Sequence, residues 1–256
     1  MCFPSKRQKD NFTDGATKTQ NGSNGTGTKG DKSQPSTTQT PPAPIAASTV
    51  PASAMSPRVA IVIYSMYGHI AKMAESVKTG IESAGGRAEI LQVSETLSED
   101  ILKLLHAPPK PAYRTIKPDE LVNYDAFLLG IPTRFGNMPG QWKAFWDATG
   151  GLWAGGKLAG KYAGIFVSTG TPGGGQEVTA VSTLSTLTHH GIIYVPFGYA
   201  HAFGDITNLT EVHGGSPWGA GTFAGPDGSR QPSALEATIA EKQGKAFWEI
   251  VNRVKF

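Results

Sequence analysis

From Val59 onward the chain alternates short, wholly apolar, β-branched runs with stretches of helical periodicity, and this alternation leaves few folds open to it. Val59-Ala-Ile-Val-Ile-Tyr64 offers no charged position to either face, as expected of a strand covered by helices on both sides. Ile70, Met73, Ala74, Val77 and Ile81 then recur at helical spacing, and Ala84-Gly85-Gly86 supplies the stop. Further strands are predicted at 88–93, 126–131, 162–167 and 192–195. Helices are predicted around Trp142, Phe145 and Trp146, up to His190, and over 234–252. Short links between unlike elements imply a parallel, doubly wound α/β sheet.

Five strands in roughly 200 residues fit a flavodoxin-like order better than a six-stranded dinucleotide fold. The remaining stretch, 199–233, is Gly- and Pro-rich with little periodicity. A loop that long in a compact domain is functional or covered by another subunit. Residues 1–57 differ throughout: Ser, Thr, Gly, Asn, Gln, Pro and Lys dominate, and no hydrophobic period exists. They are read as a disordered low-complexity tail, with 58–256 as the folded domain. The tail holds six Lys/Arg and three Asp/Glu of the chain's 23 and 20, so the domain carries 17 of each and is neutral. A neutral body lacks the footprint of a general nucleic-acid binder, and no nucleic-acid partner is expected.

The chain has a single cysteine, which excludes a disulfide framework and any zinc site of several thiolates. The six histidines show no metal-ligand spacing, so no metal is expected. No apolar run reaches the roughly 18–20 residues that span a bilayer, and the N-terminus lacks a signal-peptide core. The expected compartment is the cytoplasm. Cys2, beside Phe3 and before Lys6, Arg7 and Lys9, is a lipidation candidate whose basic neighbours would add a second signal for peripheral membrane association. The alternative is an inert thiol in a loose tail.

Ligands of open α/β sheets bind beyond the carboxyl ends of the strands, and three strand ends here carry unusual loops. Ser65, Met66, Tyr67, Gly68, His69 and Ile70 join the first strand to its helix. Amides at a helix start suit a terminal phosphomonoester such as that of FMN. The loop is neither a nucleoside-triphosphate P-loop nor a G-x-G-x-x-G turn. The plain alternative is an ordinary βα turn. The second loop is Pro132, Thr133, Arg134, Phe135, Gly136 and Asn137. The third runs through Ser168, Thr169, Gly170, Thr171, Pro172, Gly173, Gly174, Gly175 and Gln176. Thr, Gly and Asn provide donors and room along the edge of a flat ring. Trp142, Trp146 and Trp248 have the spacing of core residues, and His106, His201 and His213 are assigned no role.

These loops, with Thr149-Gly-Gly-Leu-Trp153, His189-His-Gly191, Gly214-Gly-Ser-Pro-Trp-Gly219 and Gly225-Pro-Asp-Gly-Ser-Arg-Gln-Pro-Ser233, strongly resemble the WrbA family of FMN-dependent NAD(P)H:quinone oxidoreductases. The likeness spans essentially all of 58–256, and the tail resembles the extensions of some fungal members. It implies that 65–70 cradles the FMN phosphate, that 132–137 holds one ring edge, and that 168–176 holds the pyrimidine side. Pro172 looks like one residue more than the bacterial pattern. It further implies that Tyr67 contacts the nicotinamide of NADH or NADPH, that Trp153 flanks the quinone, and that His190 reaches the flavin and substrate. Tyr67 and His190 are thus the residues expected at the reacting groups. The family pattern implies a homotetramer whose sites neighbouring subunits complete, a ping-pong two-electron relay, and protection against redox stress. The rival readings are a one-electron flavodoxin-type carrier and a membrane-associated flavin-binding scaffold. Carriers are usually strongly acidic, which this domain is not.

Overall fold

The structure is a computed structural model that describes residues 56–256; Cys2 and nearly all of the predicted tail lie outside the described residues. Its strands are β1 (Val59–Ile63), β2 (Ala88–Gln92), β3 (Arg114–Thr115), β4 (Ala126–Pro132), β5 (Tyr162–Thr169), β6 (Ile193–Tyr194) and β7 (Gly221–Phe223). All pair in parallel, in the order β3-β2-β1-β4-β5-β6, with β7 also on β5. Order reverses at β1, which pairs with β2 on one side and β4 on the other. That is the switch point where a doubly wound sheet opens a crevice.

The five expected strands are present, and two short ones join them. β3 extends the outer edge by two residues. The sixth position is divided: β6 pairs with Tyr162 and Ala163 at the start of β5, and β7 pairs with 167–169 at its end. Between them the chain leaves the sheet through 195–220. Part of the long 199–233 stretch, expected as loop, therefore forms a strand. Runs of two or three residues carry no readable period, which is why the alternation did not reveal them.

β1 divides its side chains between two cores. Val59, Ile61 and Ile63 enter one with Ile70, Val77 and Phe247; Ala60, Val62 and Tyr64 enter the other with Leu129, Trp142 and Trp146. Helices α1 (His69–Ser83) and α7 (Ala234–Val251) supply the first core. Helices α3 (Gly140–Asp147) and α5 (Gln176–His189) contribute to the second; α2 (Glu99–Leu104), α4 (Gly150–Ala154) and α6 (Phe203–Ile206) are short. α1 ends as its glycines predict: Gly86 N donates to Ile81 O and Gly85 N to Glu82 O, each at 3.0 Å, with Gly85 at φ 82. α1 and α7 cross at contact distance. A Cβ on Gly80 would lie 1.9 Å from Glu241 O, and one on Gly244 2.0 Å from Val77 O. Among the described residues no helix is long and apolar enough to cross a membrane.

Candidate functional site

A cleft of about 490 Å³ opens at the carboxyl ends of β1, β4 and β5. Of the residues singled out in the sequence, it gathers Ser65, Met66, Tyr67, His69, Ile70, Pro132, Thr133, Arg134, Ser168, Thr169 and Gly170. β1 and β4 deliver the first two loops, and Thr133 N donates to Ser168 O at 2.8 Å, which fixes the second loop against the third. Gly68 caps α1 with φ 90, a left-handed conformation that glycine adopts without strain. Among the described residues no backbone carbonyl takes the amides of 66–70, and the first turn of α1 has no acidic residue. Ser65 Oγ accepts from Ala71 N at 3.3 Å. This donor set fits a phosphomonoester, and Arg134 lines the same cleft.

His69 does not bond locally. Its ring is buried and its Nε2 lies 2.8 Å from Arg230 O, tying the start of α1 to a segment 161 residues away. Tyr67 is partly exposed at the mouth, its hydroxyl donating to Leu105 O at 3.2 Å. Beyond the end of β2, Glu95 accepts from Tyr64 at 2.9 Å, Lys110 at 2.7 Å and Gln141 at 3.0 Å. Burial alone would raise the Glu95 carboxyl, but the hydrogen bonds from Lys110, the Leu97 and Thr96 amides and Tyr64 outweigh it and bring it down to about 2. Tyr64, buried and bonded to that carboxylate, is pushed up.

The other expected residues stand elsewhere. Arg134 and Asn137 close a tight hairpin, N to O at 2.7 and 3.0 Å, that holds Phe135 at φ 55 and leaves its ring fully exposed. Gly136 belongs to the same turn. Thr171, Gly173, Gly174 and Gly175 do not line the cleft. Gln176 reaches away from it, donating to Thr222 O and accepting from Gly215 N, each at 3.0 Å. Trp153 sits on α4, 59% exposed, and does not line the cleft.

His190 lies at the end of α5, also outside the cleft. Thr149 Oγ1 is 2.6 Å from Trp146 O, so its proton belongs there, and it accepts from His190 Nε2 at 2.9 Å. His190 Nδ1 and Trp146 Nε1 are buried with no partner among the described residues. Burial first, and the neighbouring His189 second, lower the His190 pKa, so the ring is neutral near pH 7.

Two stretches of cleft wall were not singled out as site residues: Leu105 with His106, and 224–228. The second follows β7 and is therefore another strand-end loop, hidden because its strand is only three residues long. His106 had no detectable signal; it sits at φ 53, a left-handed conformation that histidine adopts more readily than most side chains. Among the described residues no group of three or more His, Cys, Asp or Glu is placed to hold a metal.

Residues 57–203 match the protein family described as NADPH-dependent FMN reductase. The chain is 68% identical over 199 residues to the NAD(P)H quinone oxidoreductase PST3 of Candida albicans, covering 78% of this chain and 100% of that protein. It is 65% identical to protoplast secreted protein 2 of Saccharomyces cerevisiae (76% and 98% covered) and 58% identical to the minor allergen Alt a 7 of Alternaria alternata (77% and 98%). Among solved structures, the flavodoxin WrbA-like protein of Agrobacterium tumefaciens shares the fold, with TM-score 0.53 and 22% identity over 77% of this chain and 99% of that one. With its crevice at the switch point and its free amides at the start of α1, the chain belongs to the NADPH-dependent FMN reductase family.

Proposed function

We infer that this chain is an FMN-dependent NAD(P)H:quinone oxidoreductase. The observation that carries the reading is the convergence of the loops after β1, β4 and β5 on one cleft. In this reading the amides of 66–70 and Ser65 hold the phosphate. Pro132, Thr133 and Arg134 flank one ring edge, and Ser168, Thr169 and Gly170 flank the other. FMN, when bound, supplies two-electron transfer, taking hydride from NADH or NADPH and passing it to a quinone. Tyr67, at the mouth, bears on the nicotinamide, and its bond to Leu105 O fixes its angle.

Trp153, His190 and Phe135 do not line the cleft of their own chain, and in this reading they serve the cleft of another copy. The assembly proposed is the homotetramer of the WrbA-type pattern, with Trp153 and His190 closing the quinone pocket. His190 is neutral, and its Nε2–H is committed to Thr149, so it shapes the pocket and delivers no proton from Nε2. The placement proposed is cytoplasmic. Hydroxylamine-sensitive labelling of the wild type against Cys2→Ser decides whether the tail is acylated.

Anaerobic stopped-flow on the FMN-loaded protein tests the enzyme reading. Mixing with NADH or NADPH is expected to bleach the flavin band near ~450 nm, and benzoquinone to restore it in one step. Trp153→Ala and His190→Ala are expected to slow the second phase roughly tenfold or more with FMN retained. A flavin that neither donor bleaches leaves the one-electron carrier as the reading, and two parent-like variants remove Trp153 and His190 from the site.

A further inference from the structure

The cleft wall at 224–228 is built by residues that never reach the cleft. Glu236, in the first turn of α7, has no exposed surface and accepts five sets of hydrogen bonds. They come from Gly214 N at 2.9 Å, Thr222 Oγ1 at 2.7 Å, Phe223 N at 3.2 Å, Ser233 N at 2.8 Å, and Arg230 Nη1 at 3.0 and 2.9 Å to its two oxygens. Arg230 adds bonds to Phe223 O at 2.7 Å and Val212 O at 3.0 Å. Its backbone closes the loop, with N donating to Ala224 O at 2.9 Å and O facing His69 Nε2 at 2.8 Å.

One buried carboxylate therefore ties together β7, the chain before it, the cap of α7 and the far end of the 224–230 loop. A helix cap needs only the Ser233–Glu236 exchange, and the further donors exceed that need. Ala224 N and Gly225 N also bond to Thr169 O and Gly170 O at 2.8 Å, so the wall is pinned to the β5 loop on one side and to Arg230 on the other.

We propose that Glu236 is a positioning residue for the FMN cleft, setting through Arg230 the place of the 224–228 wall and with it the affinity for FMN. The inference rests on the cleft being the FMN site. Removing Arg230 leaves the fully buried Glu236 charge without its counterpart, and removing Glu236 frees the partly exposed Arg230 guanidinium that closes the 224–230 loop. Arg230→Lys keeps the charge but cannot bridge Glu236, Phe223 O and Val212 O together.

The experiment is FMN titration of apoprotein by flavin fluorescence, with the visible-region circular dichroism of the bound flavin, on full-length wild type, Glu236→Gln, Arg230→Lys and the double variant. Val251→Ala, a buried truncation at the other end of α7, controls for general loss of stability. Each single variant is expected to raise the FMN dissociation constant at least tenfold and alter the flavin dichroism. The double variant should add less than threefold more, and Val251→Ala should stay within twofold. Arg230→Lys decides the matter if Glu236→Gln does not fold. A folded Arg230→Lys within twofold of wild type, or an equal rise in Val251→Ala, overturns the proposal. Ser65→Ala separates the two layers: if it too leaves binding unchanged, the cleft assignment itself has failed.

Discussion

Ser65 lines the cleft at the point where β1 gives way to the loop, with its hydroxyl turned toward the first turn of α1. In the proposed site its loss would remove one hydrogen bond to the phosphate, worth about 1 kcal/mol net, so Ser65→Ala should weaken FMN binding roughly five- to tenfold in a fluorescence titration. Unchanged affinity would place the phosphate elsewhere. Glu95 makes a second prediction. Its folded pKa of about 2 lies below the ordinary carboxylate value, so it stabilises the fold above about pH 4.5, and the gain is lost as pH falls toward 2. Partial exposure trims the effect to on the order of 2 kcal/mol. Glu95→Gln should therefore flatten the acid limb of a Tm-against-pH profile between about pH 5 and 2, with little change in its shape above pH 6. A steep limb that survives the substitution would assign acid sensitivity to other carboxylates. Single residues were unevenly legible. The hydroxyls and the one glycine of 65–70 announced themselves through turn chemistry, but His69 found its partner at Arg230, a contact set by tertiary folding that no local pattern encodes.

Among the elements, the α1–α7 pair shows where two small effects compete. Alanine in place of Gly80 gains about 1 kcal/mol of helix propensity. Its Cβ, however, would lie 1.9 Å from the Glu241 carbonyl, which is backbone and cannot rotate away. Overpacking of that kind sits at the upper end of the usual ~1–3 kcal/mol, so the net effect of Gly80→Ala is a loss of about 2 kcal/mol, read as a Tm lower by roughly 5 °C. A raised Tm would mean that the helices separate freely. The same scale explains what the alternation pattern yielded. Strands of five to eight residues buried on both faces are legible from composition alone, and the resemblance of their loops to the WrbA family is borne out by family and relatives. β3 and β7 are held by their neighbours' hydrogen bonds and leave almost no trace in sequence, and the 224–228 wall stood out only as part of the family-like segment 225–233, not as a site.

At the scale of the molecule, the fully exposed Phe135 calls for a physical reason. Its left-handed backbone costs about 1 kcal/mol, and the ring offsets nothing within its own chain. The hairpin that carries it rests on α5: Ser182 Oγ donates to Gly136 O at 3.2 Å, and Val178 and Val181 on the same helix are exposed as well. A strained aromatic beside exposed valines is what a surface buried by another subunit looks like. If a second copy covers it and brings Trp153 and His190 to the neighbouring cleft, assembly and quinone reduction must fail together, while FMN binding, which in the proposed site uses residues of one chain, must survive. Phe135→Asp should shift the protein to a smaller species in light scattering. It should also keep the FMN affinity within about threefold and slow quinone-dependent reoxidation at least tenfold, because an aspartate buried at that interface lacks a partner charge. Serial dilution of the wild type should lower turnover per flavin over the same concentration range in which the mass falls. A monomeric variant that reoxidises at the parental rate would show instead that each cleft is complete within its own chain.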